Sequence, residues 1–152
     1  MQTDASAKAA GAIFRREIRI EWGQCDPAGI VFYPRYLEMF DANTAYLFES
    51  VGLPKATLVK TYDIVGMPIV EVQSKFFMPS KYGDRLTVES NIGEWRRSGL
   101  RVEHRLLRDG KLAAEGYENR VWAGKDPENP GGIKARAVPQ EVIDRFGTAA
   151  SS

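Results

Sequence analysis

The chain has 152 residues, 21 basic and 20 acidic, with a formal net charge of +1 and a single cysteine. That is enough chain for one domain with a real core, and the charge balance argues against a nucleic-acid binder that relies on a strongly basic face. One cysteine excludes an internal disulfide and fits a reducing, cytoplasmic compartment, and no apolar run is long enough to span a bilayer.

The opening MQTDASAKAAGA lacks the apolar centre of a signal peptide. It reads as a flexible leader over residues 1–11, ahead of a single domain over 12–147 and a flexible tail over 148–152. IFRREIRIEW alternates, with Phe14, Ile18, Ile20 and Trp22 on one side and Arg15, Glu17, Arg19 and Glu21 on the other, which predicts a strand with one wet face. WGQCDPAGIVFYP follows as a loop. PRYLEMFDANTAYLFESVG then predicts a long helix, because Leu37, Phe40, Thr44, Leu47, Phe48 and Val51 recur at helical spacing. Pro34 suits the first helical position and Gly52 the residue just past the end. Tyr36, Met39 and Tyr46 widen the apolar stripe, so the helix is expected to be nearly enclosed.

After a short helical or irregular piece, PKATLVKTY, the period returns to two. Val70, Val72, Phe76 and Met78 share one face, as do Leu86, Val88 and Ile92, and then Leu100, Val102, His104 and Leu106. KLAAEGYENRVWA alternates less cleanly. Asp109-Gly110 is a strong hairpin signal, GKDPENPGGIK reads as a Pro/Gly loop, and VPQEVIDRF as a short C-terminal helix. An antiparallel meander needs something to cover its apolar face, and the only long element available is the helix. The expected fold class is therefore α+β, a curved antiparallel β-sheet wrapped around one long central helix. Strand order does not follow from periodicity.

The loop between strand and helix holds the candidate chemistry. Asp26-Pro27 alone is a plain turn, but Ile30, Val31, Phe32 and Tyr33 force the loop along the core, which sets the Asp26 carboxylate beside partly buried surface. Tyr33, as the helix cap, has no short polar side chain to bind the free amides of the first turn. Water can satisfy those amides; alternatively they form a site for a carbonyl or anion. A carboxylate feeding such a helix start is a possible acyl-transfer site. Cys25 has no histidine near it in sequence and reads as packing rather than as a nucleophile. His104, among leucine and valine, reads as a satisfied core histidine, and one His with one Cys excludes the usual structural zinc sites.

CDPAGIVFYP, the upstream Trp22-Gly23, the helix start RYLEMFD, GMPIVEVQSKFFMPSKYGDRLTVES and EWRRSG together resemble the 4-hydroxybenzoyl-CoA thioesterase family of hot dog proteins. The similarity covers most of the chain except its tails. Pro34 stands where the more general acyl-CoA thioesterases of the superfamily typically carry histidine, which favours the aromatic-acyl branch.

The resemblance implies that Asp26 is the catalytic carboxylate, as nucleophile or general base, and that the backbone N–H of Tyr33 polarises the thioester carbonyl. It implies that Asp41 helps shape the acyl pocket, at a position that in the hydroxybenzoyl enzymes can meet the para-hydroxyl of the substrate. From the residues alone, Asp41 sits in the apolar stripe, where a carboxylate is costly unless paired, or else it reaches water at the helix edge. Arg96 and Arg97 read alone as a solvated turn; the resemblance places them on the phosphates of the CoA nucleotide, with Ser98 able to add a hydrogen bond. Gln24 stands where close relatives can carry a second aspartate, and the helix face RYLEMFD departs from the hydroxybenzoyl enzymes in several side chains, which leaves the acyl group open.

The leading expectation is an aromatic acyl-CoA thioesterase without a cofactor or metal, forming a homodimer or homotetramer. The alternatives are a thioesterase for short or medium aliphatic acyl-CoA, and a non-catalytic hot dog module that binds CoA esters.

Overall fold

The computed structural model describes residues 11–151, with side chains through Gly147. The expected leader therefore lies outside the described residues except for Gly11, and of the expected tail only the backbone to Ser151 is described. Strand β1 (Ile13–Arg19) leads through a single 3-10 turn (Trp22–Gln24) and the loop to helix α1 (Pro34–Ser50). Helix α2 (Lys55–Tyr62) follows, then β2 (Ile69–Phe76), β3 (Arg85–Arg96), β4 (Gly99–Arg108) and β5 (Lys111–Val121). A small hairpin, β6 (Ala123–Lys125) with β7 (Ile133–Ala135), and helix α3 (Gln140–Ser151) complete the chain. The hairpin occupies the stretch expected as a plain Pro/Gly loop.

The five long strands form one antiparallel sheet in the order β1-β3-β4-β5-β2. Consecutive strands β3, β4 and β5 are joined by tight turns; at the second of these, Asp109 (φ 54°) and Gly110 (φ 75°) both lie in the left-handed region, as a two-residue type I′ hairpin demands. Helix α1 ends as expected, with Gly52 at φ 82° just beyond it.

The helix packs on the sheet through two apolar clusters. Its first half sets Tyr36, Met39 and Phe40 against Ile20, Val31, Leu86, Val88, Leu106 and Ala114. Its second half sets Leu47 and Phe48 against Leu100, Val102, Trp122, Val142 and Phe146. Between them Asn43 and Thr44 face a polar strip on the sheet: Ser90, His104 and Glu118, all buried.

At the middle of that strip helix and sheet approach closely. Ser90 pairs with His104 across β3 and β4, and His104 with Gly116 across β4 and β5. The Phe40 ring stacks on the His104 ring at 4.7 Å and 4°. A Cβ on Gly116 would stand 2.5 Å from the Gln73 carbonyl oxygen and 3.2 Å from Phe40 Cε2, so glycine there is a condition of the stack.

Some expected faces differ. Trp22 lies past the end of β1 in the 3-10 turn and is 76% exposed, because the chain turns away from the sheet after Ile20. Tyr46 is 40% exposed and lies against Phe14 and Arg16 at the rim of the helix stripe. Strand β2 is an edge with a bulge between Ile69 and Glu71. Its apolar residues remain open, Val70 being 66% exposed and Phe76 47%, and Met78 lies beyond its end.

Gly116→Val is expected to lower stability by about 2 kcal/mol, since overpacking here must move either a paired strand or the helix. A urea denaturation curve against wild type measures it; an unchanged midpoint contradicts the close approach.

Candidate active site

Residues Gln24–Asp26 fold back on Ile30–Phe32. Cys25 bridges Val31, the Asp26 N–H donates to the Ile30 carbonyl at 2.9 Å, and the Phe32 N–H donates to the Gln24 carbonyl at 2.8 Å. Gly29 closes the turn at φ 84°, donating to the Asp26 carbonyl. The Ala28 N–H donates to Asp26 Oδ1 at 2.8 Å, which pins the carboxylate and leaves Oδ2 without a partner among the described residues. Asp26 is half-buried, as expected, but of the four apolar residues that follow only Val31 enters the core: Ile30, Phe32 and Tyr33 are 39%, 47% and 60% exposed.

At the helix start Tyr33 already has helical angles (φ −53°, ψ −34°) and makes no side-chain cap. Pro34 has no N–H. The Arg35 N–H donates to the Phe32 carbonyl at 2.8 Å and the Tyr36 N–H to the Tyr33 carbonyl at 3.1 Å. The open donor of the expected set therefore narrows to one: the Tyr33 N–H has no acceptor among the described residues. Around it the rings of Phe32, Tyr33, Tyr36 and Phe76 touch edge-on or tilted. Cys25 packs against the first apolar cluster, as expected, with Sγ 3.8 Å from the Glu21 carbonyl oxygen.

Asp41 occupies a different place. It lines a cavity of about 560 Å³ between α1, α2 and residues 64–69, together with Thr44, Leu58, Val59, Ile64 and Arg120. Its side chain is 64% exposed, and its Oδ1 is 2.7 Å from Arg120 Nη2. Asp41 therefore stands at the helix edge, and its carboxylate is paired with Arg120. Asp26 and Tyr33 do not line this cavity.

The turn after β3 is farther still. Asp26 follows the end of β1 that pairs with Arg85, whereas Arg96 ends the same 12-residue strand β3, about 36 Å along it at strand rise. Arg96 binds Glu94 and Asn119 through its guanidinium. The exposed Arg97 side chain and the Ser98 hydroxyl have no partner among the described residues, while their carbonyls accept from Val138 and Trp122. One chain does not bring the two expected halves of the site together, because they sit at opposite ends of one strand.

Glu118 and Arg120 were not anticipated. They occupy the inward positions of β5 after Ala114 and Gly116, and a charged pair two residues apart on the apolar side of a strand was the available signal. Glu118 Oε1 accepts from Thr44 Oγ1 at 2.7 Å and from Arg120 Nε at 2.9 Å, and it lies 3.4 Å from His104 Nε2. On the other side His104 Nδ1 is 2.6 Å from Ser90 Oγ, which accepts from Asn43 Nδ2 at 2.7 Å, and Asn43 Oδ1 accepts from Arg16 Nε at 3.1 Å. His104 is a satisfied core histidine, as expected. Burial opposes ionisation of Glu118, but His104 and then Arg120 outweigh it and hold the carboxyl down, from 4.5 to about 2. Among the described residues no group of three or more His, Cys, Asp or Glu is placed to hold a metal ion.

Residues 20–146 match the model of the thioesterase-like superfamily. The chain belongs to that superfamily. It is 39% identical over 133 residues to 4-hydroxybenzoyl-CoA thioesterase of Pseudomonas sp. (strain CBS-3), covering 83% of this chain and 92% of that one. The solved structure of the Pseudomonas enzyme superposes with a TM-score of 0.79 at 37% identity, covering 88% of this chain and 98% of that one. A 4-hydroxybenzoyl-CoA thioesterase with an aspartate-to-asparagine substitution, complexed with 4-hydroxybenzoyl-CoA, superposes at 0.80 with 36% identity, covering the same shares. The hot dog fold and the class of thioester hydrolase are thereby borne out.

Because the folded-state carboxyl of Glu118 lies below its unfolded value, its contribution is complete above about pH 4.5 and is lost as pH falls toward about 2. Glu118→Gln is expected to cost about 3 kcal/mol at neutral pH by removing the buried negative charge that faces Arg120 Nε and His104, and to flatten the acid limb of stability. Urea midpoints from pH 7 to 2 test this; a variant with the wild-type acid limb rules out Glu118 as its source.

Proposed function

We propose that this thioesterase hydrolyses an aromatic acyl-CoA of the 4-hydroxybenzoyl type to the free acid and CoA. The observation that carries the reading is the pairing, on one loop, of a pinned carboxylate with a free oxygen and a helix-start amide with no acceptor. The Tyr33 N–H donates to the thioester oxygen and to the oxyanion as the carbonyl carbon is attacked. Asp26 either removes a proton from the attacking water or attacks the carbon itself, forming a mixed anhydride that water then cleaves. In both routes the C–S bond breaks and CoA leaves as thiolate. The aromatic rings at the helix start and the relationship to the Pseudomonas enzyme support an aromatic acyl group. The cavity beside Asp41 suits the distal end of that group. Its wall of Leu58, Val59 and Ile64 would also accept an aliphatic chain, which makes an aliphatic acyl-CoA the second reading.

The site is proposed to be completed between copies. Strand β2 is an open edge carrying Ile69, Val70, Val72 and Phe76, all at least 40% exposed, a surface that a second copy can cover by edge pairing. The Arg96–Arg97–Ser98 turn is proposed to bind the CoA phosphates of a site in another subunit of a dimer or tetramer, since it lies a strand's length from the Asp26 of its own chain. No helix among the described residues is long and apolar enough to cross a membrane, and with one unpaired cysteine we place the reaction in the cytoplasm.

Thiol release from benzoyl-, 4-hydroxybenzoyl-, phenylacetyl-, butyryl- and hexanoyl-CoA tests the function. Wild type is expected to favour an aromatic ester in kcat/KM, and Asp26→Asn to lose about 10²–10⁴-fold in kcat. A clear aliphatic preference overturns the acyl assignment, unchanged hydrolysis by Asp26→Asn overturns the site, and no hydrolysis by wild type leaves a CoA-ester-binding module. Light scattering is expected to give a dimer or tetramer that Val72→Lys weakens; a wild-type monomer refutes the shared site.

A further inference from the structure

Residues 77–84 connect β2 to β3 and run beside the Asp26 loop. At one end the Phe77 and Met78 N–H groups donate to the Ala113 carbonyl. At the other the Gly83 N–H donates to the Ile20 carbonyl at 2.9 Å, and the Asp84 carbonyl accepts from the Ile20 N–H at 2.9 Å. Between those ties the sheet reaches the segment through Arg108, the last residue of β4. Its Nη1 donates to the Pro79 carbonyl and to Ser80 Oγ at 3.1 Å, and lies 3.5 Å from Asp84 Oδ2. Its Nη2 lies 4.0 Å from Met78 Sδ. Ser80 is buried, so the grip is made inside the protein rather than on its surface.

The gripped segment supports the Asp26 loop. The Ser80 carbonyl accepts from the Val31 N–H at 2.8 Å, and Lys81 bridges Ile30. On their other side Val31 bridges Cys25, and the Ile30 carbonyl accepts from the Asp26 N–H at 2.9 Å. Asp26 is thus reached from Arg108 through Ser80 and one intervening strip of backbone. A guanidinium is planar and offers its donors in fixed directions, so it sets where Pro79 and Ser80 lie instead of merely attracting them. A reacting carboxylate is sensitive to such placement: a shift of about 1 Å that originates far from the chemistry can cost about 10²-fold in rate.

We propose that Arg108 is a positioning residue for hydrolysis: by gripping Pro79 and Ser80 it fixes the Ile30–Val31 strip, and through that strip it sets the Asp26 carboxylate against the thioester carbon. This rests on the reading of Asp26 as the group that attacks that carbon or activates water. It adds to that reading a residue on a different hairpin that does not touch the substrate.

The test is a double-mutant cycle with the full-length chain, comparing wild type, Arg108→Met, Asp26→Asn and the double variant. Thiol release is followed from the acyl-CoA that wild type hydrolyses fastest, so the result does not depend on the acyl assignment. Arg108→Met is expected to lower kcat about 30-fold while KM changes less than about threefold. In the Asp26→Asn background the same substitution is expected to change kcat less than about threefold, because residues acting through one group are not additive. Hydrogen exchange at the Val31 and Asp26 amides is expected to quicken about tenfold in Arg108→Met and to stay at the wild-type rate at Val102, in the middle of β4. A folded Arg108→Met with wild-type kcat, or with an equal loss in both backgrounds, overturns the proposal alone. Asp26→Asn with wild-type kcat overturns the reading of Asp26, and the proposal with it. Should Arg108→Met not fold, Arg108→Lys keeps the charge but not the fork, and is expected to lower kcat severalfold at constant KM; an unchanged kcat overturns the proposal equally.

Discussion

The seating of the central helix depends on one contact, the flat stack of Phe40 on His104 above a glycine. Gly116 pairs with His104 in the neighbouring strand and leaves room for the Phe40 ring. With the helix held there, Tyr36 and Met39 reach the first apolar cluster and Leu47 and Phe48 the second. The start of the helix falls beside the Asp26 loop, and Asp41 falls within reach of Arg120.

The polar strip between the two clusters is costly to bury and orders the fold in return. Glu118 gives up solvation, and His104, Thr44 and Arg120 return hydrogen bonds and opposite charge. An apolar strip would let the helix slide or turn on the sheet with little penalty. A strip of directional partners allows one rotation, since any other leaves buried groups unpaired. The Glu118–Arg120 pair that helps seat the helix also holds the Asp41 carboxylate at the cavity wall.

The residues proposed for the site are dispersed. The Asp26 loop and the Tyr33 amide lie at one end of the sheet, the Asp41 cavity lies farther along the helix, and the arginine turn lies at the far end of β3. A fold built from one helix on one curved sheet has no deep crevice between domains. In the proposed assembly, its open edge and exposed helix start are the places where a second copy adds walls to the site.

Local patterns in the sequence were sufficient for the elements. Alternation marked β3 and β4 because one face of each is buried and the other wet, and Pro34 and Gly52 bounded the helix because proline needs no amide partner and glycine tolerates a positive φ. The Asp26 turn and the uncapped helix start were legible for the same reason, being set by neighbours in the chain. Tertiary structure alone decided the rest. Trp22 was out of the core because the chain turns after Ile20, and β2 stayed open because strand order, not periodicity, makes an edge. Glu118 and Arg120 showed their place only when β5 came to lie under the helix, for their partners on the helix are 74 and 79 residues away in the chain. The remoteness of Arg96 from Asp26 likewise follows from strand direction, which a local pattern does not contain.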